Sequence, residues 1–174
     1  MHYQFNENQT IMRTFIWLII IFITGNQAIQ AQSTNTKKEN KLTIQQNKQA
    51  VIRFNKEFFE SGNTAITKEL LADNFVNHTA PPNAPKDASV MIQFINGFHK
   101  GFSGVTVQIH EVLGEGDKVS LRKTITATHT GEFMGKAATG KKVEMNVIEI
   151  DILKDGKITA HWSRNDFMQV VQSL

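Results

Sequence analysis

Helical periodicity in the first half of this chain and two-residue alternation in the second predict an α+β domain. It is a curved antiparallel sheet forming a cone, covered by about three N-terminal helices. Three observations carry the expectation. Apolar residues recur at helical spacing as far as Phe102. From Gly104 onward apolar and polar residues alternate. Turn-forming stretches, Gly114-Glu115-Gly116-Asp117 and Asp155-Gly156, separate the alternating runs. A sheet curved in this way and closed by helices keeps one open mouth.

The elements follow in order. Arg13 precedes an unbroken apolar run, Phe15 to Ile23, and small or polar residues follow through Ala28 and Ala31. That sequence of features describes a secretory signal peptide. The run falls far short of the ~20 residues that a spanning helix needs. Residues 1–31 are therefore expected to be an export segment, with Met12 a candidate start and cleavage near Ala31 or Gln32. An uncleaved anchor is the other reading. The mature chain is expected in the periplasm or outside the cell, without stable membrane insertion. Residues 32–41 are polar and charged and read as a tether. Residues 42–174 have the length of a single domain, enough to bury a core without staples.

Within that domain Ile44, Val51, Phe54 and Phe58 predict a helix over 42–60, ended by Ser61-Gly62-Asn63 with glycine at the left-handed cap. A short second helix starts near Thr64 and buries Leu70 and Leu71. Residues 75–78 are extended, and Pro81-Pro82-Asn83-Ala84-Pro85 stops regular structure. Asp87 to Phe102 is a third helix whose stripe is Met91, Phe94, Ile95, Phe98 and Phe102. Strands follow. Val105, Val107 and Ile109 share one face of the first. Val119, Leu121, Ile125 and Ala127 share one face of the second. Val143 to Leu153 is a third, joined through the Asp155-Gly156 turn to a fourth at 157–165. In the third strand the apolar side switches between Val147 and Ile148. A β-bulge there would keep both sets inward. Without one, the strand is buried on both faces, and Glu149 and Asp151 project to the Val147 side. The bulge is the favoured reading.

Composition narrows function. The absence of cysteine removes disulfides, thiolate metal sites and a cysteine nucleophile. A net charge of +3 with scattered lysines gives no basic stripe, so nucleic acid is not an expected partner. Asn77-His78-Thr79 matches the short glycosylation triplet.

Several residues could do chemistry. His129 continues the face of Val119, Leu121, Ile125 and Ala127 to the end of its strand, where a pocket would open. A buried imidazole bonded to backbone is the alternative. Asp166 falls, by strict alternation from Ile158, with Ala160, Trp162 and Arg164. A carboxylate among apolar neighbours suits a general acid or base, and the same residue could cap a last helix. Trp162 reads as pocket wall, and His161 should point away from it toward surface or interface. His78 precedes the proline loop at the mouth, where it reads as a pocket or a solvated loop histidine. Phe98 and Phe133 are expected to line the pocket, with Glu149 the available second carboxylate. His78, His129 and Asp166 lack the close spacing of a metal site, so no metal is expected.

The motifs Thr128-His129-Thr130-Gly131-Glu132-Phe133, Thr139-Gly140-Lys141, Glu149-Ile150, Asp155-Gly156-Lys157-Ile158 and His161-Trp162 with Asp166 are ordered and spaced as in a known family. From about Val51 to the end the chain resembles the SnoaL-like polyketide cyclases (ester cyclases) of the nuclear transport factor 2-like superfamily. The resemblance implies a curved antiparallel sheet wrapped by three helices around a hydrophobic pocket. It also implies an intramolecular aldol condensation without cofactor or metal, with an acidic residue as acid/base. By position that role would fall on Asp166, with His129 and His78 lining the pocket. The implied partners are a small apolar ligand and a second copy of the chain, packed on the sheet face bearing Arg122 and the threonines. Two functional expectations follow. One is a cyclase or isomerase acting by acid/base catalysis on a small apolar carbonyl compound. The other is a non-catalytic binding module of the same fold.

Overall fold

The computed structural model describes residues 30, 32, 33, 36, 38 and 43–174. The chain divides into two compact units, residues 1–42 and 43–174. In the first, the described residues are helical, and Thr36 Oγ1 donates to the Gln32 carbonyl at 2.9 Å. All of the expected export segment except Gln30, and much of the tether, lie outside the described residues. All that follows concerns the second unit.

Its first helix, α1, covers residues 43–54 and continues as a π-helical turn, Asn55–Glu60. Gly62 then turns the chain at a φ of 67°, the left-handed conformation that glycine adopts without a Cβ penalty. A 3₁₀ turn, Thr64–Ile66, leads into the short α2, Thr67–Leu70, with the Asn63 side chain accepting from the Ala65 N–H at its start. β1, Leu71–Asn77, and α3, Ala88–Gly101, flank the proline loop. Asp87 caps α3 by accepting from Ser89 N, which satisfies one of the orphan donors of the first turn. Then come β2, Phe102–Glu115, β3, Lys118–His129, β4, Lys142–Lys154, β5, Lys157–Asn165, and α4, Phe167–Ser173.

The five strands form a curled, unclosed sheet in the order β1-β5-β4-β3-β2. The pairs among β2, β3, β4 and β5 are antiparallel, as the hairpin turns predict. Asp155 and Gly156 both have positive φ, 52° and 76°, the signature of the type I′ turn whose twist suits adjacent strands. β1 was expected only as a short extended piece. It is a full strand and pairs parallel with β5, so the sheet is mixed.

The helices cover the concave side. Val51, Phe54, Phe58, Leu70, Met91 and Ile95 pack with Val119, Leu121, Leu153 and Ile158 in one apolar cluster. Phe98, Phe102, Val107, Ile125, Phe133 and Met145 belong to a second. Burying each such side chain contributes about 1.5–3 kcal/mol. The π-helical turn is tied to β2 by two polar contacts. Lys56 Nζ donates to the Val107 carbonyl at 2.6 Å, and Glu60 Oε2 accepts from Val107 N at 2.6 Å.

Two features of the strands differ from the sequence reading. β4 has no bulge: its register with β3 runs unbroken from Lys142 to Ile152. Met145, Val147, Glu149, Asp151 and Leu153 therefore face inward, while Ile148 and Ile150 are exposed at 55% and 46%. The irregularity sits in β5 instead. Leu153 pairs with Ile158 and Ile152 with Ala160, so Thr159 is the extra residue, and its Oγ1 donates to the Ile152 carbonyl at 3.1 Å. An extra residue reverses which side chains face the core from that point on. His161, Ser163 and Asn165 turn inward. Trp162, counted inward by alternation from Ile158, turns out and is 38% exposed.

Candidate active site

The concave side encloses a cavity of about 410 Å³. Its walls are mostly apolar. Phe58 and Phe59 come from the π-helical turn, Val90, Met91 and Phe94 from α3, Ile125, Met145 and Val147 from the sheet, and Phe167 and Met168 from α4. Thr79, Ala80 and Pro81 of the proline loop close one side. That loop is held to β5, since His78 N donates to the His161 carbonyl at 2.8 Å and Ser163 N donates to Thr79 Oγ1 at 2.7 Å.

The polar part of the cavity is concentrated on the sheet. Lys123, Glu149, His161, Asn77, Ser163 and Asn165 all line it. Lys123 occupies the centre of the inward face of β3 and is fully buried. Its Nζ donates to Glu149 Oε2 at 2.6 Å and to Asn55 Oδ1, and it lies 4.0 Å from the centroid of the Phe59 ring. Asn55 Nδ2 donates to Glu149 Oε1 at 2.6 Å. Lys123 borders the cavity but has no accessible surface, because Phe59, Asn55 and Glu149 surround its ammonium.

Beside this group stands a second pair. Asp151 and His161 face each other in the β4–β5 register, and His161 Nδ1 lies 2.8 Å from Asp151 Oδ1. The Nδ1 edge of the ring is thus bound to the Asp151 carboxyl group, and Nε2 is the remaining polar edge of a ring that lines the cavity. On the other side His161 pairs with Asn77 of the parallel β1. Asn77 Oδ1 accepts from Thr79 N at 2.9 Å, which leaves its Nδ2 donors for a ligand. Ser163 is the next inward residue of β5, roughly 6–7 Å along the strand.

Burial and charge set the protonation of these groups. Burial alone would push the Glu149 carboxyl up, but the Lys123 ammonium, the His161 ring and the hydrogen bonds from Lys123 and Asn55 outweigh it and hold Glu149 below the ordinary range. Burial would push the His161 ring down, but the Asp151 hydrogen bond and the charges of Asp151 and Glu149 outweigh it and hold the ring above its ordinary value. Burial pushes the Asp151 carboxyl up, with the His161 hydrogen bond opposing and the Glu149 charge adding. Both members of the pair thus hold protons more strongly than they would in water.

The other sequence candidates lie elsewhere. Asp166 sits at the N-cap position of α4, but its carboxylate turns away from that helix. Oδ1 accepts from Asn146 N at 2.8 Å and Oδ2 from Asn146 Nδ2 at 3.1 Å, and the residue does not line the cavity. His129 is 0% exposed. Its Nδ1 lies 3.0 Å from Thr139 Oγ1, its Nε2 has no partner, and its ring packs against Phe102 at 5.1 Å between centroids. The backbone-bonded alternative for His129 is thus replaced by a threonine partner. His78 and Trp162 stack outside the cavity, 4.1 Å apart and 3° from parallel. Phe98 and Phe133 join the second apolar cluster, packed edge to face at 6.1 Å, behind the cavity wall. Glu149 is the candidate from the sequence that does line it. Asn77 is buried in the cavity wall, which leaves the glycosylation triplet without an accessible acceptor. Among the described residues no group of three or more His, Asp and Glu side chains is arranged to hold a metal ion.

His161 was expected to face away, and the Thr159 bulge brings it in. Lys123 was overlooked, although the alternation that places Leu121 and Ile125 inward places it between them. Asp151 was legible only on the reading without a bulge in β4.

A profile of the family described as SnoaL-like polyketide cyclase matches residues 49–174. This chain belongs to that family. Among curated proteins no significant sequence match is found. Solved structures agree with the family. AclR from Streptomyces galilaeus, a proposed hydroxylase, is 26% identical with a TM-score of 0.64, over 75% of this chain and 95% of that one. IdmH from Streptomyces antibioticus, a proposed polyketide cyclase, is 27% identical with a TM-score of 0.62, over 72% and 96%. An LEH-like epoxide hydrolase from M. tuberculosis, at 16% identity and a TM-score of 0.56 over 76% and 91%, shares the fold. The SnoaL-like domain of this chain is thus a small-molecule domain, built around one apolar cavity with a charged wall.

Proposed function

We propose that this SnoaL-like domain is a cofactor-free acid/base catalyst, of cyclase or isomerase type, acting on a small neutral carbonyl compound. The observation that carries this reading is the Asp151–His161 pair, bonded at 2.8 Å with the imidazole in the cavity wall. His161 Nε2 takes a proton from the carbon beside the carbonyl. The Asp151 carboxylate, on Nδ1–H, stabilises the imidazolium that forms. The Asn77 amide and the Ser163 hydroxyl flank the ring and hold the oxygen on which negative charge develops. The imidazolium then returns the proton. Lys123 and Glu149 cancel each other's charge, which favours a neutral ligand against the apolar walls. The names borne by IdmH and by the family support a carbonyl substrate of the polyketide kind.

The test is exchange of the α-protons of 2-tetralone in heavy water, followed by NMR. The protein is expected to speed exchange above the buffer rate and His161→Gln to remove about 10²–10⁴ of the enhancement. Binding without exchange would reduce the domain to a binding module.

The reading extends to assembly and location. Ile148, Ile150 and Trp162 lie side by side on the outer face of the sheet, next to Arg122 and Arg164 in register. We propose that this face packs against a second copy, and that the domain works outside the cytoplasm. Ile150→Arg is expected to convert the dimer to monomer by light scattering, and a wild-type monomer would contradict the pairing.

A further inference from the structure

A second proton acceptor stands beside His161, and one residue keeps it occupied. Glu149 lines the same cavity wall, one inward position from Asp151 on β4, so it is a carboxylate within the site. Both of its oxygens are engaged. Oε2 accepts from Lys123 Nζ at 2.6 Å and Oε1 from Asn55 Nδ2 at 2.6 Å. Asn55 is itself held. It is fully buried, its Nδ2 also donates to the Val51 carbonyl one turn back at 3.0 Å, and its Oδ1 accepts from Lys123 Nζ. It is also the first residue of the π-helical turn, Asn55–Glu60. The wider turn changes the direction in which a side chain leaves the helix, and such turns often mark functional positions.

We infer that Asn55 is a positioning residue which clamps Lys123 to Glu149, holds both carboxylate oxygens out of proton transfer and so leaves His161 as the one working base. The inference rests on the acid/base reading of this cavity. It assigns the site's charged wall two parts. One part is an ion pair locked by a carboxamide, which supplies a balanced charge. The other is the His161–Asp151 pair, which moves the proton. Without Asn55, Glu149 Oε1 loses its hydrogen-bond donor and becomes more basic, and a carboxylate competes with the imidazole.

The experiment is the pH profile of 2-tetralone α-proton exchange for wild type, Asn55→Ala, His161→Gln and the double variant, alongside NMR titration of His161 and of the Glu149 carboxyl carbon. Wild-type exchange is expected to fall away at low pH along the His161 titration. In Asn55→Ala it persists below that point, and the double variant exchanges above buffer where His161→Gln alone does not. An Asn55→Ala profile that superimposes on wild type overturns the inference and leaves the acid/base reading standing. A wild-type protein with no exchange overturns the reading instead. The carboxyl titration needs no substitution. Glu149 is expected to stay ionised throughout the range in which His161 titrates, and proton uptake by Glu149 there overturns the inference even if Asn55→Ala does not fold.

Discussion

Two histidines are buried in this domain at the inner face of the sheet, and they do different work. His161 has a carboxylate on one ring nitrogen and belongs to the cavity wall. His129 has a threonine hydroxyl on one nitrogen, nothing on the other and phenylalanine around it. Both lie on inward strand positions and both are out of solvent. The difference is the partner. A buried carboxylate can stabilise an imidazolium in a medium where an isolated charge is costly. A hydroxyl cannot do so to the same degree, and an aromatic wall gives the proton nowhere to go. Burial makes a histidine unusual; a charged partner and an open edge make it chemical.

That contrast can be broken or sharpened by substitution. The largest effect on stability is expected from the charges behind His161. Lys123→Met leaves the Glu149 carboxylate buried without its counter-ion, which costs about 3–5 kcal/mol, read as a drop in the urea midpoint. Replacing both partners with apolar residues of similar size is expected to recover most of that loss, because the pair's desolvation penalty goes with it. A Lys123→Met protein as stable as wild type would mean that the ion pair is not formed as described. A smaller effect is expected at the other histidine. His129→Phe places a ring among Phe102, Phe133 and their neighbours and removes an unpaired nitrogen, so its cost should stay within about 1.5 kcal/mol. A larger loss would show that His129 Nε2 has a partner and that the two histidines are more alike than they look.

Much of the fold was legible in the sequence because its periodicities are long and clean. The stripe from Met91 to Phe98 could only be a helix lying on a core, and the alternation from Val119 to Ala127 could only be a half-buried strand. The site was harder to read because it depends on phase. One inserted residue, Thr159, reverses the face of every later position in β5 and makes His161, not Trp162, the inward ring. The apolar isoleucines at 148 and 150 suggested a bulge in β4, yet they are exposed, and a surface that packs on another copy would account for them. Lys123 was visible in the alternation but does not resemble a core residue. Asp166 was read as the acid from its place after the tryptophan, whereas its carboxylate is taken up by Asn146.

The central claim is that the Asp151–His161 pair, and not the other buried histidine, moves the proton. The direct test is a side-by-side measurement of 2-tetralone α-proton exchange by His161→Gln and His129→Gln at a temperature where both are folded. The claim predicts that His161→Gln loses about 10²–10⁴ of the enhancement while His129→Gln stays close to wild type. Loss at His129 with retention at His161 would contradict it.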